Sequence, residues 1–144
     1  RVNALIARLA GVPIAVSEFV RSAPVNDARL VLLLVLAVRD RLFREFMQEA
    51  VAPVLSSHDP TLSRAAIGRF FDSKAQVSPK VASWGPSART KLRTVYVGAL
   101  AEAGIVLTQD RVVRVQRSIL TPATSEYINM RFPREYQMML RGTF

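Results

Sequence analysis

Hydrophobic positions along the chain recur mostly at three- and four-residue spacing, the pattern of helices that bury one face. Val2, Leu5, Ile6 and Leu9 share such a face, with Gly11 as a stop. After Pro13, IAVSEFVRSAP predicts a short helix ending before Pro24. A long helix over about 28–51 follows, capped by Asn26 or Asp27. Its first half, LVLLLVLAV, is apolar all round and predicts a buried central helix. Its second half is amphipathic, with Leu42, Phe43, Phe46 and Ala50 on one face, and Pro53 is expected to end it. Arg41 and Glu45 stand four apart and can pair across its surface.

Beyond residue 56 the elements shorten. Asp59-Pro60 reads as an N-cap with a first-turn proline, opening a helix that buries Leu62, Ala66, Ile67, Phe70 and Phe71. Ser78-Pro79 repeats that signal for a helix of two turns at most. A longer helix then runs from a cap at Ser87 to a stop at Gly104, with Leu92, Val95, Tyr96, Ala99, Leu100 and Ala103 as its buried stripe. The runs IVL and RVVRV flank TQD and predict a β-hairpin. Thr121-Pro122 opens a helix toward Met130, and Glu135 to Leu140 make a short last one. The fold class is therefore mainly α with one small β-hairpin. Residues 1–57 form an N-terminal helical lobe and 58–144 a second lobe with the C-terminal helices, the two packing as one compact unit.

Charge changes the picture in the second half. The chain of 144 residues carries a net charge of +9. Residues 1–72 contribute nine basic and seven acidic groups, whereas 73–144 contribute eleven and four. Such an excess favours polyanionic partners through counterion release and steering. It gathers on a helix, short helix, longer helix and hairpin, the order of a winged helix-turn-helix, in which the third helix enters the major groove and the hairpin reaches backbone or minor groove. Arg89, Lys91 and Arg93 stand at the start of that third helix. Residues 89 and 93 align on one face and 91 points aside. Arg111 lies near the hairpin tip with Arg114 behind it, and Lys74 and Lys80 extend the patch. These seven are the candidate nucleic-acid contacts. A solvated helix face would carry the same residues, and winged helices also serve as protein-binding modules.

The segments ARLVLLLVLAVRDRLFREFMQEAV, FFDSKAQ, SW and SARTKLRTVYVGALAEAGIV resemble the BrxA family of BREX bacteriophage-defence systems. The shared features are Phe43 and Phe46 on the central helix, Phe70 and Lys74 before Trp84, Thr90 to Arg93, and Glu102 to Gly104. The likeness covers about residues 1–120, and the apolar stretch Tyr96 to Ala101 departs from it. It implies a small, mostly helical, non-enzymatic component of a phage-exclusion system that binds double-stranded DNA with low sequence specificity. It also implies a NusB-like helical bundle joined to a winged-helix-like part. The start at Arg1 agrees with a longer natural N-terminus.

Other chemistry finds little support. Ser57, His58 and Asp59 are adjacent and cannot converge as a triad, so a turn and helix cap explain them better. A single histidine and no cysteine leave no His-pair or thiolate metal site, and no disulfide. No glycine pattern cradles phosphates. Neither cofactor nor small-molecule substrate is expected. LVLLLVLAV is too short to span a membrane, which takes about 20 apolar residues, and a cytoplasmic location is expected. Double-stranded DNA and other phage-defence proteins are the expected partners. An adaptor without DNA contact, holding those proteins through apolar surface such as YQMML at 136–140, and a transcription regulator remain the alternatives.

Overall fold

The computed structural model describes residues 14–141. The helix expected over Val2 to Leu9 and its stop at Gly11 lie outside the described residues. Helix α1 (Ile14–Ser22) leads through Pro24 into α2 (Val25–Arg39). Six consecutive residues of α2, Leu30 to Val35, and then Ala37 are 6% exposed or less, so this is the buried central helix. Asp27 does not cap it. Pro24 occupies the N-cap position, and Asp27 sits inside the first turn with its carboxylate turned to another helix.

The predicted long helix is broken at Asp40, whose extended backbone ends α2 and starts α3 (Arg41–Phe46). The Asp40 carboxylate accepts the Phe43 N–H at 3.0 Å, so an aspartate inside an apparently continuous pattern acts as an N-cap. Arg44 donates from Nη1 to the carbonyls of Ala37 and Val38, satisfying the end of α2. Pro53 does not stop the helix either. A π-helical turn (Met47–Val51) intervenes, with the Ala52 N–H reaching back to the Met47 carbonyl, and α4 (Ala52–Leu55) continues past the proline. A proline lacks the N–H for an ordinary turn and crowds the carbonyl four residues before it; one widened turn accommodates both defects.

Residues 60–62 do not begin a helix. The Leu62 N–H donates to the Val113 carbonyl and the Val115 N–H to the Pro60 carbonyl, both at 2.8 Å, with Thr61 opposite Arg114. Extended pairing with the hairpin thus overrides the Asp-Pro signal, and Ser63 caps α5 (Arg64–Val77) by accepting the Ala66 N–H. The Asp59 carboxylate accepts the Thr61 N–H, a local turn. Helix α6 (Pro79–Ala82) is capped by Ser78 as expected. Helix α7 (Pro86–Glu102) begins two residues earlier than a cap at Ser87 would allow, with Gly85 at the N-cap and Pro86 in the first turn.

Gly104, at φ 79°, ends α7. Its N–H donates to the Ala101 carbonyl and that of Ile105 to the Leu100 carbonyl, the paired bonds of a Schellman stop. Leu100 and Ile105 are both fully buried, which completes the motif. Strands β1 (Val106–Gln109) and β2 (Val112–Val115) pair antiparallel with Gln109 opposite Val112. The turn is therefore Asp110-Arg111 alone, and Thr108 and Gln109 belong to β1. Helices α8 (Pro122–Arg131) and α9 (Arg134–Arg141) close the chain. The Thr121 side chain caps α8 by accepting the Thr124 N–H.

One apolar cluster joins Val16 and the α2 residues to Phe43, Phe46, Phe70, Phe71, Leu100 and Leu140. Tyr96 is its link to α7: its ring lies 4.9 Å from Phe43 and 5.5 Å from Phe46, and its hydroxyl donates to the Asp40 carboxylate at 3.2 Å. Burial and the neighbouring Asp40 charge push the Tyr96 phenol far above its ordinary value, so it remains a donor. Val95, placed in the buried stripe from sequence, is 37% exposed.

Candidate nucleic-acid interface

The face of α7 away from Asp40 borders a groove of about 650 Å³, walled by the start of α5 and by the hairpin. Arg93 contributes from α7, Arg111 from the hairpin turn and Arg64 from the first position of α5. Thr61, Thr94 and Thr108 stand among them, and Val97 and Val113 line the apolar part of the groove. None of the three arginines forms an ion pair among the described residues. Arg64 and Arg111 are exposed and Arg93 is half-buried. Three cations with hydroxyl donors between them form a surface that can hold phosphate oxygens.

The hairpin turn is unusual. Asp110 and Arg111 both have positive φ, 51° and 65°, as a two-residue turn matched to strand twist requires. Glycine or asparagine normally occupies such positions, because a Cβ crowds the following carbonyl. Here the second is an arginine that borders the groove.

The other predicted contacts are placed differently. Lys74 is not a free surface cation: it donates to Glu49 at 2.7 Å and bridges to Glu45 at 2.9 Å, and its side chain is 14% exposed. Burial pulls its pKa down, but the hydrogen bonds and charges of Glu49 and Glu45 outweigh that and raise it. Glu45 also takes Arg41 at 2.8 Å, the pair expected from their spacing. Arg89 donates to the Asp72 carboxylate at 2.8 Å, tying the start of α7 to α5. Lys91 is exposed but lies about 160° around the helix from Arg93, at 100° per residue. Alternation along β2 puts Arg114 on the opposite face from Val113 and Val115, where its charge acts on Asp59. Lys80 is exposed and borders a different groove.

Arg93 and Arg111 are thus the two predicted residues that meet in the groove between α5, α7 and the hairpin, and Arg64 is a third arginine there that the sequence reading did not name. Its signal was Ser63: once Ser63 rather than Asp59 is the cap, Arg64 falls at the mouth of α5. The neutralisation of Lys74 and Arg89 carries no short-range signal, since their partners lie 25 and 17 residues away. Of the YQMML segment, Tyr136 and Leu140 belong to the core, 8% and 2% exposed. Among the described residues no group of three or more histidine, cysteine, aspartate or glutamate side chains could hold a metal ion. No described helix is long and apolar enough to cross a membrane.

Fold and groove together define a mainly helical protein with an arginine-lined groove beside a small hairpin. The chain belongs to the BrxA family, whose sequence model matches residues 1–131. It is 33% identical over 104 residues to a BREX protein BrxA of Bacillus cereus (strain H3081.97), a match covering 72% of this chain and 52% of that relative. The chain spans about half the length of that relative.

Proposed function

We propose that the chain is a non-enzymatic accessory protein of a BREX phage-defence system that binds double-stranded DNA. It holds the phosphate backbone, with low sequence specificity, in the Arg64–Arg93–Arg111 groove. The observation that carries this reading is the convergence of three arginines, unpaired among the described residues, from three separate elements onto one groove. Helices α5, α6 and α7 followed by the hairpin have the order of a winged helix-turn-helix, and the bridge of Thr61 to Arg114 of β2 supports that reading, since an added segment at the base of a wing would pair there. Arginine suits this role because its planar fork holds phosphate with two parallel bonds. No asparagine or glutamine stands at the start of α7 to read adenine, which supports backbone recognition.

The test is a titration against random-sequence duplex at several salt concentrations. Contact with about three to five phosphates gives a slope of log affinity on log salt near −3 to −4.5. The double variant Arg93→Glu, Arg111→Glu should flatten that slope by about 2 and weaken binding more than tenfold. Absence of binding at low salt, or unchanged binding by the double variant, refutes the reading. A single protected palindrome in footprinting would replace it with operator recognition.

A further inference from the structure

The arginine groove does not end at Arg93. Arg93 and Ile67 also line a recess of about 90 Å³ that runs on between α5 and α7, past Gly68 and Asp72 to Arg89 and Thr90. Space is open beside it, since a Cβ at Gly68 would meet no atom within 4 Å. Arg89 and Arg93 stand four residues apart on one face of α7, about 6 Å along its axis.

Arg89 differs from the groove arginines in having a partner. Its Nη1 donates to Asp72 Oδ1 at 2.8 Å, the one hydrogen bond its side chain makes among the described residues. Its Nε is buried and meets no acceptor. A guanidinium carries five N–H donors, so most of the capacity of this one is unused. The Asp72 side chain is 71% exposed and that of Arg89 27%. A carboxylate so well hydrated holds its cation weakly, because water replaces the lost contact at little cost. A phosphate offers the same guanidinium two parallel charge-assisted bonds.

We propose that Asp72 is a built-in competitor for DNA, holding Arg89 in the free protein and yielding it to a phosphate when a duplex enters the groove. The proposal rests on the reading of the Arg64–Arg93–Arg111 groove as a DNA site, and adds regulation of that site. Arg89 is then a fourth phosphate contact, kept occupied until DNA arrives. The exchange leaves the Asp72 carboxylate unpaired near the duplex, so every binding event carries a repulsive contribution. Binding is weaker and more readily reversed than four free arginines would make it.

Asp72→Asn and Arg89→Gln remove the two charges with little change of shape, and together they form a double-mutant cycle. The full chain and its variants are titrated with random-sequence duplex. Asp72→Asn should tighten binding about fivefold when Arg89 is present, and change it less than twofold in the Arg89→Gln background. Arg89→Gln alone should weaken binding about threefold and flatten the salt slope by about 1. A clamp with no part in DNA binding would show instead as a lowered melting temperature in either single variant, with affinity unchanged, and that result overturns the proposal. Weaker binding by Asp72→Asn, or equal tightening in both backgrounds, overturns it too; in the latter case Asp72 would act on DNA through its charge alone. The Arg93→Glu, Arg111→Glu variant separates the two claims. If that variant loses binding while the cycle shows no coupling, the groove stands and Arg89 has no place in it. A parent chain that fails to bind duplex at low salt ends both.

Discussion

Arg111 holds a left-handed backbone that a glycine would adopt without strain, at φ 65° in the hairpin turn. An L-residue there costs about 1 kcal/mol, part of which a glycine would return through its freer unfolded chain. Arg111→Gly should therefore stabilise the protein by about 0.5–1 kcal/mol, raising the melting temperature by about 2–3 °C. If the side chain holds a phosphate, the same change should flatten the salt slope of DNA binding by about 1. Thermal unfolding and a salt titration on one protein preparation test both halves. A variant that gains stability without losing affinity would remove Arg111 from the interface. From sequence, the placement of Arg93 and Arg111 beside one groove could be anticipated because a cation near a helix start or in a turn needs no distant partner. That of Lys74 and Arg89 could not, because Glu45, Glu49 and Asp72 come to them through tertiary packing.

At the scale of elements, the sequence signals read correctly were local and unopposed. Ser78 and Thr121 cap the helices they precede, and Gly104 stops α7, because each acts on backbone within four residues. Two of the misread signals were ones that a distant element could claim. Pro60 was claimed by β2, and Asp27 by α8. The Asp27 carboxylate, 3% exposed, accepts the Thr121 N–H at 3.2 Å and the hydroxyls of Thr121 and Thr124 at 2.6 Å. It thus joins the first turn of α2 to the start of α8, where a negative charge also complements the helix dipole. Burial pushes this carboxyl up, but the hydrogen bonds from Thr121 and Thr124 outweigh it and hold it below its ordinary value of 3.8. A depressed folded-state value means that the stabilisation is complete above about pH 4 and is lost as pH falls through the folded value. Asp27→Asn should cost about 2 kcal/mol at neutral pH and flatten the acid limb of stability. Urea denaturation of both proteins from pH 7 to pH 3 measures this. An acid limb as steep in Asp27→Asn as in the parent would show that Asp27 contributes nothing to it.

For the whole molecule, net charge and working charge are different quantities. The sequence concentrates basic residues in its second half, yet the fold spends Lys74 and Arg89 on holding α5 against α3, the π turn and α7. Among the other cations, Arg64, Arg93 and Arg111 gather on one side of α7, while Lys80 borders the groove on the other. This division predicts a double dissociation. Lys74→Met keeps the aliphatic stem but leaves Glu45 and Glu49 without their shared cation, in a site where the lysine is 14% exposed. It should cost about 1–2 kcal/mol, between the values for exposed and buried pairs. DNA affinity should stay within about twofold, since no phosphate contact is removed. Arg93→Glu should do the reverse: stability nearly unchanged, because Arg93 has no ion pair to lose among the described residues, and DNA affinity reduced at least tenfold. Urea unfolding and duplex titration on both variants decide the matter. If Lys74→Met weakened DNA binding as much as Arg93→Glu, affinity would follow total charge, and the groove would have no special place in it.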